Sequence, residues 1–125
     1  MTYGPIKHFK DIEAWKLARE LRIRTYGVIK KLPSEEKYDL ASQMRRAAIS
    51  CTANIAEGYG RFHYQENIHF CRISRGSMYE IQEHLITCMD NEYITKEIYD
   101  SIWDLSINAI KTLDGYIRYL NKNAT

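Results

Sequence analysis

Small or apolar residues recur at helical spacing in four long stretches, and each stretch is closed by a residue that interrupts a helix. Ala14, Leu17, Ala18, Leu21, Thr25 and Val28 predict a helix over residues 11–31. Leu32-Pro33 ends it, because proline lacks the amide hydrogen and restricts the residue before it. Leu40, Met44, Ala47, Cys51 and Ile55 predict a second helix over 35–57. Ser34 stands at its N-cap, and Glu35 and Glu36 lie where the helix dipole favours anions. Gly58 and Gly60 are expected to stop it. Ile68, Cys71, Met78, Ile81 and Leu85 predict a third helix over 64–91. A turn at Asn91-Glu92-Tyr93-Ile94 and an N-cap at Thr95 lead to a fourth, over 96–121. Its stripe is Ile98, Ile102, Leu105, Ala109, Leu113, Tyr116 and Leu120.

No stretch alternates as a strand would. Four helices joined by short connections predict an all-α, up-down-up-down antiparallel four-helix bundle over residues 11–121. Residues 1–10 form an N-terminal extension and 122–125 a C-terminal tail. A chain of 125 residues is long enough to bury a core without a disulfide or metal. Cys51, Cys71 and Cys88 are odd in number, have no CxxC spacing and fall within helical stretches. They read as buried thiols of a cytoplasmic protein. The longest uncharged run, Ala47 to Ala56, is about half of the ~20 residues a membrane span requires. No membrane association is expected.

Charge changes the picture more than composition does. The net charge is only +2, but residues 1–75 carry +6 and residues 76–125 carry −4. Such a molecule suits a polyanion on one side, or stacking on its own copies.

Gln43, Arg46, Ser50, Asn54 and Glu57 form a polar stripe beside the apolar stripe of the second helix. His69, Arg72, Gly76, Ser77 and Glu80 answer it on the third. A hairpin centred near Arg61 sets Arg46 level with Gly76 and one turn from Glu80. The stripe reads as an intramolecular polar seam in which Arg46 pairs with Glu80 and Asn54 bonds a neighbouring backbone. A ligand or nucleic-acid site, or a subunit contact, are the alternatives.

The same residues carry a family resemblance. Phe9-Lys10-Asp11-Ile12-Glu13-Ala14-Trp15 opens it. Leu32-Pro33, Glu36, Tyr38, Leu40 and Gln43-Met44-Arg45-Arg46-Ala47 continue it. Ser50 with Asn54-Ile55-Ala56-Glu57-Gly58 is its most specific part, and Gly76-Ser77-Met78-Tyr79-Glu80 closes it. From about Phe9 to Leu120 the chain resembles the four-helix-bundle proteins named for intervening sequences in bacterial 23S ribosomal RNA genes. The resemblance implies a ring-like homopentamer. It also implies a relative similar in fold, the accessory protein of diversity-generating retroelements, a basic pentamer that binds nucleic acid beside a reverse transcriptase. It does not imply catalysis.

Three further groupings bear on function. Lys16, Arg19 and Arg22, with Arg45, Arg61, Arg72 and Arg75, are candidates for phosphate contact, and repetition around a ring would multiply their field. The alternative is a solvated face with ordinary pairs such as Glu20 with Arg24. Tyr59, Phe62 and Tyr64 surround Arg61 and suit either base stacking or closure of the bundle end. Trp15, Tyr26 and Ile29, and likewise Trp103, Ile107 and Ile110, lie off the main stripes. They are candidates for an oligomer interface, or for a thicker core.

Glu66-x-x-His69 has the spacing of a di-iron ligand pair, but no second copy accompanies it. No metal, cofactor or catalytic residue is expected, and the chain reads as not an enzyme. The favoured reading is a homo-oligomer associated with RNA or DNA. The alternative is a structural or adaptor protein that binds another protein through the acidic C-terminal half.

Overall fold

The computed structural model describes residues 6–123, which form an antiparallel four-helix bundle. The helices are α1 (Glu13–Ile29), α2 (Leu40–Gly60), α3 (Tyr64–Asp90) and α4 (Lys96–Asn123). Each packs on its two neighbours in cyclic order, α1 on α2, α2 on α3, α3 on α4 and α4 on α1. Residues 1–5 of the expected extension and 124–125 of the expected tail lie outside the described residues. Lys122 and Asn123 of that tail continue α4.

The core follows the apolar stripes. Leu21, Met44, Ile55, Ile68, Met78, Ile81, Leu85, Ile102 and Leu113 are fully buried. Among the described residues every buried side-chain nitrogen or oxygen has a hydrogen-bond partner.

The start of the second helix differs from expectation. Ser34–Glu36 is a 3-10 turn after Pro33, and α2 begins at Leu40 with no side-chain cap. Between Ser34 and Asp39 no apolar residue falls on the core stripe, so packing has nothing with which to hold an α-turn there. Glu36 instead accepts the Tyr93 hydroxyl at 2.7 Å, tying this link to the turn after α3.

Gly58 and Gly60 do not stop α2. The helix passes through both, and the left-handed residue that ends it is Phe62, at φ 60°. Gly58 serves packing instead. A Cβ on it would lie 2.7 Å from Asn67 Oδ1 and 3.0 Å from Phe70 Cβ, so only glycine lets α2 and α3 cross here.

The end of α3 is a Schellman motif. Tyr93 N–H donates to Cys88 O at 2.8 Å, Glu92 N–H donates to Met89 O, and Glu92 takes φ 58°. Thr95 then caps α4 by accepting the Ile98 N–H at 3.2 Å.

Candidate surface sites

Helix order gives the bundle four long faces, one over each pair of neighbouring helices. The face over α1 and α2 carries a groove of about 490 Å³ lined by Phe9, Trp15, Arg22, Tyr26, Ile49 and Thr52. Its floor is set at α1's first turn, where Trp15 packs edge-on against Phe9 with ring centres 5.3 Å apart. Midway along, Arg22 Nη1 donates to Thr52 Oγ1 at 2.9 Å. That bond orients the guanidinium without neutralising it.

Arg19 lies one turn from Trp15 and Arg22, and Arg45 one turn from Ile49, so both flank this groove. Lys16 pairs with Glu13 at 3.1 Å, whereas Arg19 and Arg45 are exposed and make no ion pair among the described residues. Arg19, Arg22 and Arg45 therefore share the α1/α2 side, whereas Lys16 stands on the outer side of α1, opposite its core stripe. Arg61, Arg72 and Arg75 do not join them. Arg61 closes the α2–α3 end, bonded to Glu57 at 3.0 Å and stacked over Phe70. Arg75 lies on the α3/α4 face, 2.7 Å from Asp114, and Arg72 stands one turn before it.

The α2/α3 seam is built differently from the expected one. Arg46 does not pair with Glu80. Its Nη2 donates to Gln43 Oε1 at 2.9 Å on its own helix, and Glu80 pairs with His84 at 3.0 Å on the other. All but His84 of these are exposed, so water screens any attraction across the helices. The register also moves from the expected one. α2 persists to Gly60, so Ser50 meets Ser77, their hydroxyls 2.7 Å apart.

Asn54 Nδ2 donates back to Ser50 O at 2.9 Å and Ser50 Oγ at 2.8 Å. Deeper in the seam Ser74 Oγ donates to the Cys51 carbonyl at 2.6 Å. These small polar contacts hold α2 and α3 close together. Gly76 is exposed, and a methyl group added to it would meet nothing within 4 Å, so the bundle itself does not require a glycine there.

The off-stripe apolar residues divide. Ile110 is buried in the core, only 6% exposed, so it is not available to a partner. Ile29, Trp15 and Trp103 are half-buried against the core, and Trp103 stacks on Tyr99 at 5.4 Å. Tyr26 lines the α1/α2 groove, and Ile107 is 50% exposed on the α3/α4 side. Tyr79 and Ile86 of α3 and Ile49 of α2 are exposed too, and sequence reading missed them. Their signal was available, since each falls on the flank of its helix's core stripe.

At the end of the bundle Tyr59, Phe62, His63, Tyr64, Tyr116 and Tyr119 surround a cleft of about 250 Å³. Asn67 donates to the Tyr116 hydroxyl at 3.3 Å in its wall, a contact sequence reading also missed. Tyr59 belongs to α2 and Tyr64 to α3, so only Arg61, Phe62 and His63 form the loop between them.

Burial pushes the thiols of Cys51 and Cys71 up to about 12, and that of Cys88 to about 11. They are packing groups rather than nucleophiles. Among the described residues no three His, Cys, Asp or Glu side chains converge as metal ligands, and Glu66 and His69 are both exposed. No helix among the described residues is long and apolar enough to cross a membrane.

A family profile described as 23S rRNA-intervening sequence protein matches residues 10–115. The chain is also similar to a protein of unknown function from the S23 ribosomal protein family of Bacteroides thetaiotaomicron, known from a crystal structure. The two share 27% identity over 84% of this chain and 95% of that one, with a TM-score of 0.77. No curated protein matches.

Proposed function

The chain belongs to the 23S rRNA-intervening sequence protein family, and from that premise we propose that it is a non-enzymatic, self-associating bundle whose α1/α2 face holds a nucleic-acid phosphate backbone. One observation carries the reading. Arg19, Arg22 and Arg45 share the side of two adjacent helices, and Arg19 and Arg45 have no carboxylate partner among the described residues. Arginine heads on such a surface suit phosphate oxygens, which fix orientation without reading sequence. Trp15 and Tyr26 between them add ring surface for contact with sugar or base.

The test is binding of tag-free protein to a labelled RNA or DNA duplex as salt is raised. Retention at ~50 mM salt and steep loss by ~200 mM is the expected result, because binding releases condensed counterions. Absence of binding to either duplex at ~50 mM salt would refute it. That outcome would favour the second reading, a protein adaptor. Tyr79, Ile86 and Ile107, exposed together on the α3/α4 face, are the observation that supports it.

A further inference from the structure

Trp15, Arg19, Arg22 and Tyr26 follow one another on α1 at steps of four, three and four residues, so one stripe runs ring, cation, cation, ring along the groove. Arg45, Ile49, Thr52 and Ala56 repeat the same steps on the α2 side. The two helices are antiparallel and Arg22 bonds Thr52, so the chain beyond Thr52 runs back alongside the start of α1. Ala53 and Ala56 therefore stand toward Trp15, and their methyl groups leave that end of the groove open. Arg22 is half-buried and held by a neutral hydroxyl, and none of the described lining residues is acidic. A cation is thus kept among aromatic rings with no carboxylate to answer it.

We propose, on the nucleic-acid reading of this face, that the groove takes a single strand in preference to a duplex, with unpaired bases against Trp15 and Tyr26 and phosphates at Arg19, Arg22 and Arg45. Charge selects the class of ligand, and the rings select its form. Arginines alone hold either form by its phosphates. They favour the duplex, which carries a charge every ~1.7 Å of its axis against ~3.4 Å for one of its strands. The rings act the other way. In a duplex each base is paired and covered by its neighbours, whereas an unpaired base can turn its face onto an aromatic side chain.

Trp15 and Tyr26 are eleven residues apart. That places them ~16 Å from each other along α1, far beyond the ~3.4 Å rise between neighbouring bases of a strand. Each ring therefore meets a different base, and the arginines between them meet the phosphates that join those bases. Every base has such a face, so the groove discriminates strandedness and not sequence.

A ~20-nucleotide strand without self-complementarity and the blunt duplex of the same length test it, each titrated into the full chain at ~50 mM salt. Two stacked bases should make the strand bind at least ~10-fold more tightly than the duplex. Trp103→Phe leaves Trp15 as the only tryptophan, and the strand should quench its fluorescence while the duplex leaves it largely unchanged. Trp15→Leu and Tyr26→Leu keep apolar bulk in the groove. Each should weaken the strand roughly 10-fold and the duplex less than about 2-fold. Circular dichroism checks that both keep the helices, and the quenching experiment needs neither.

Equal affinity for strand and duplex, a strand that binds without quenching Trp15, or ring variants that weaken both forms alike would each overturn the preference. A duplex that binds while the strand does not would overturn it too, and would leave the phosphate reading of the face standing. Should neither form bind at ~50 mM salt, both fail together.

Discussion

Gly58 lies so close to Asn67 that a methyl group on it would sit 2.7 Å from the Asn67 side-chain oxygen. Asn67 cannot easily give way, because its amide donates to Tyr116 and its own backbone oxygen is only 3.0 Å from the same point. Gly58→Ala is therefore expected to force α2 and α3 apart and cost about 1–3 kcal/mol, as overpacking of a dense core does. Urea unfolding measures it, and a neutral result would mean that the crossing has slack.

Gly76 offers the contrast. It is exposed, lies inside α3 and has nothing within 4 Å of where a methyl would go. Gly76→Ala should stabilise the lone bundle by roughly 0.5–1 kcal/mol through helix propensity alone. A higher urea midpoint with unchanged slope is the expected observation. A loss of stability would show that a neighbour approaches that point.

Arg46 is bonded within its own helix to Gln43 and is exposed. Removing it should change stability by less than about 0.5 kcal/mol, the usual scale for surface substitutions. A cost above about 1.5 kcal/mol in thermal or urea unfolding would mean that Glu80 is its true partner after all.

Alkaline pH should loosen the bundle. The Cys51 and Cys71 thiols are raised by burial from an ordinary 9.0 to about 12, and Tyr116 is raised by burial to about 12. The Tyr93 hydroxyl is held up to about 12 chiefly by its bond to Glu36. Each group keeps its proton more tightly folded than unfolded. Their contribution is therefore complete below about pH 9 and is lost as pH rises through the folded values near 12. Unfolding midpoints measured from pH 8 to 11 should fall progressively. At pH 8 an aromatic disulfide reagent should label the three cysteines only at the rate at which the bundle opens.

The helices were legible because their apolar residues repeat every three or four positions, a signal that survives without any knowledge of neighbours. Leu40 shows its limit. The acidic turn before it looks like a capped helix start, yet a helix that buries nothing is not held, and α2 waits for its first core residue. Gly58 shows another limit. A glycine near a predicted helix end reads as a terminator, whereas its role here depends on Asn67 and Phe70 of the next helix.

The surface was harder to read. The basic residues could be picked out by type, but their division between faces is set by the order in which the helices pack. Arg22 reaches Thr52 and Arg75 reaches Asp114 only because α1 lies on α2 and α3 on α4. Arg46 and Glu80 failed to pair because the hairpin register depends on where α2 ends, and Phe62 rather than either glycine decides that.

The central claim is that phosphate is held by the α1/α2 face, and the salt dependence of duplex binding addresses it most directly. Arg19→Ala with Arg45→Ala removes from that face two cations that make no ion pair among the described residues, while Lys111→Ala with Arg118→Ala removes two exposed cations of α4. Each phosphate contact contributes about 0.9 to the slope of log K against log salt on duplex DNA. The first pair should flatten the slope by about 1.8 and the second should leave it unchanged. Equal flattening by both pairs, or none by the first, would contradict the assignment.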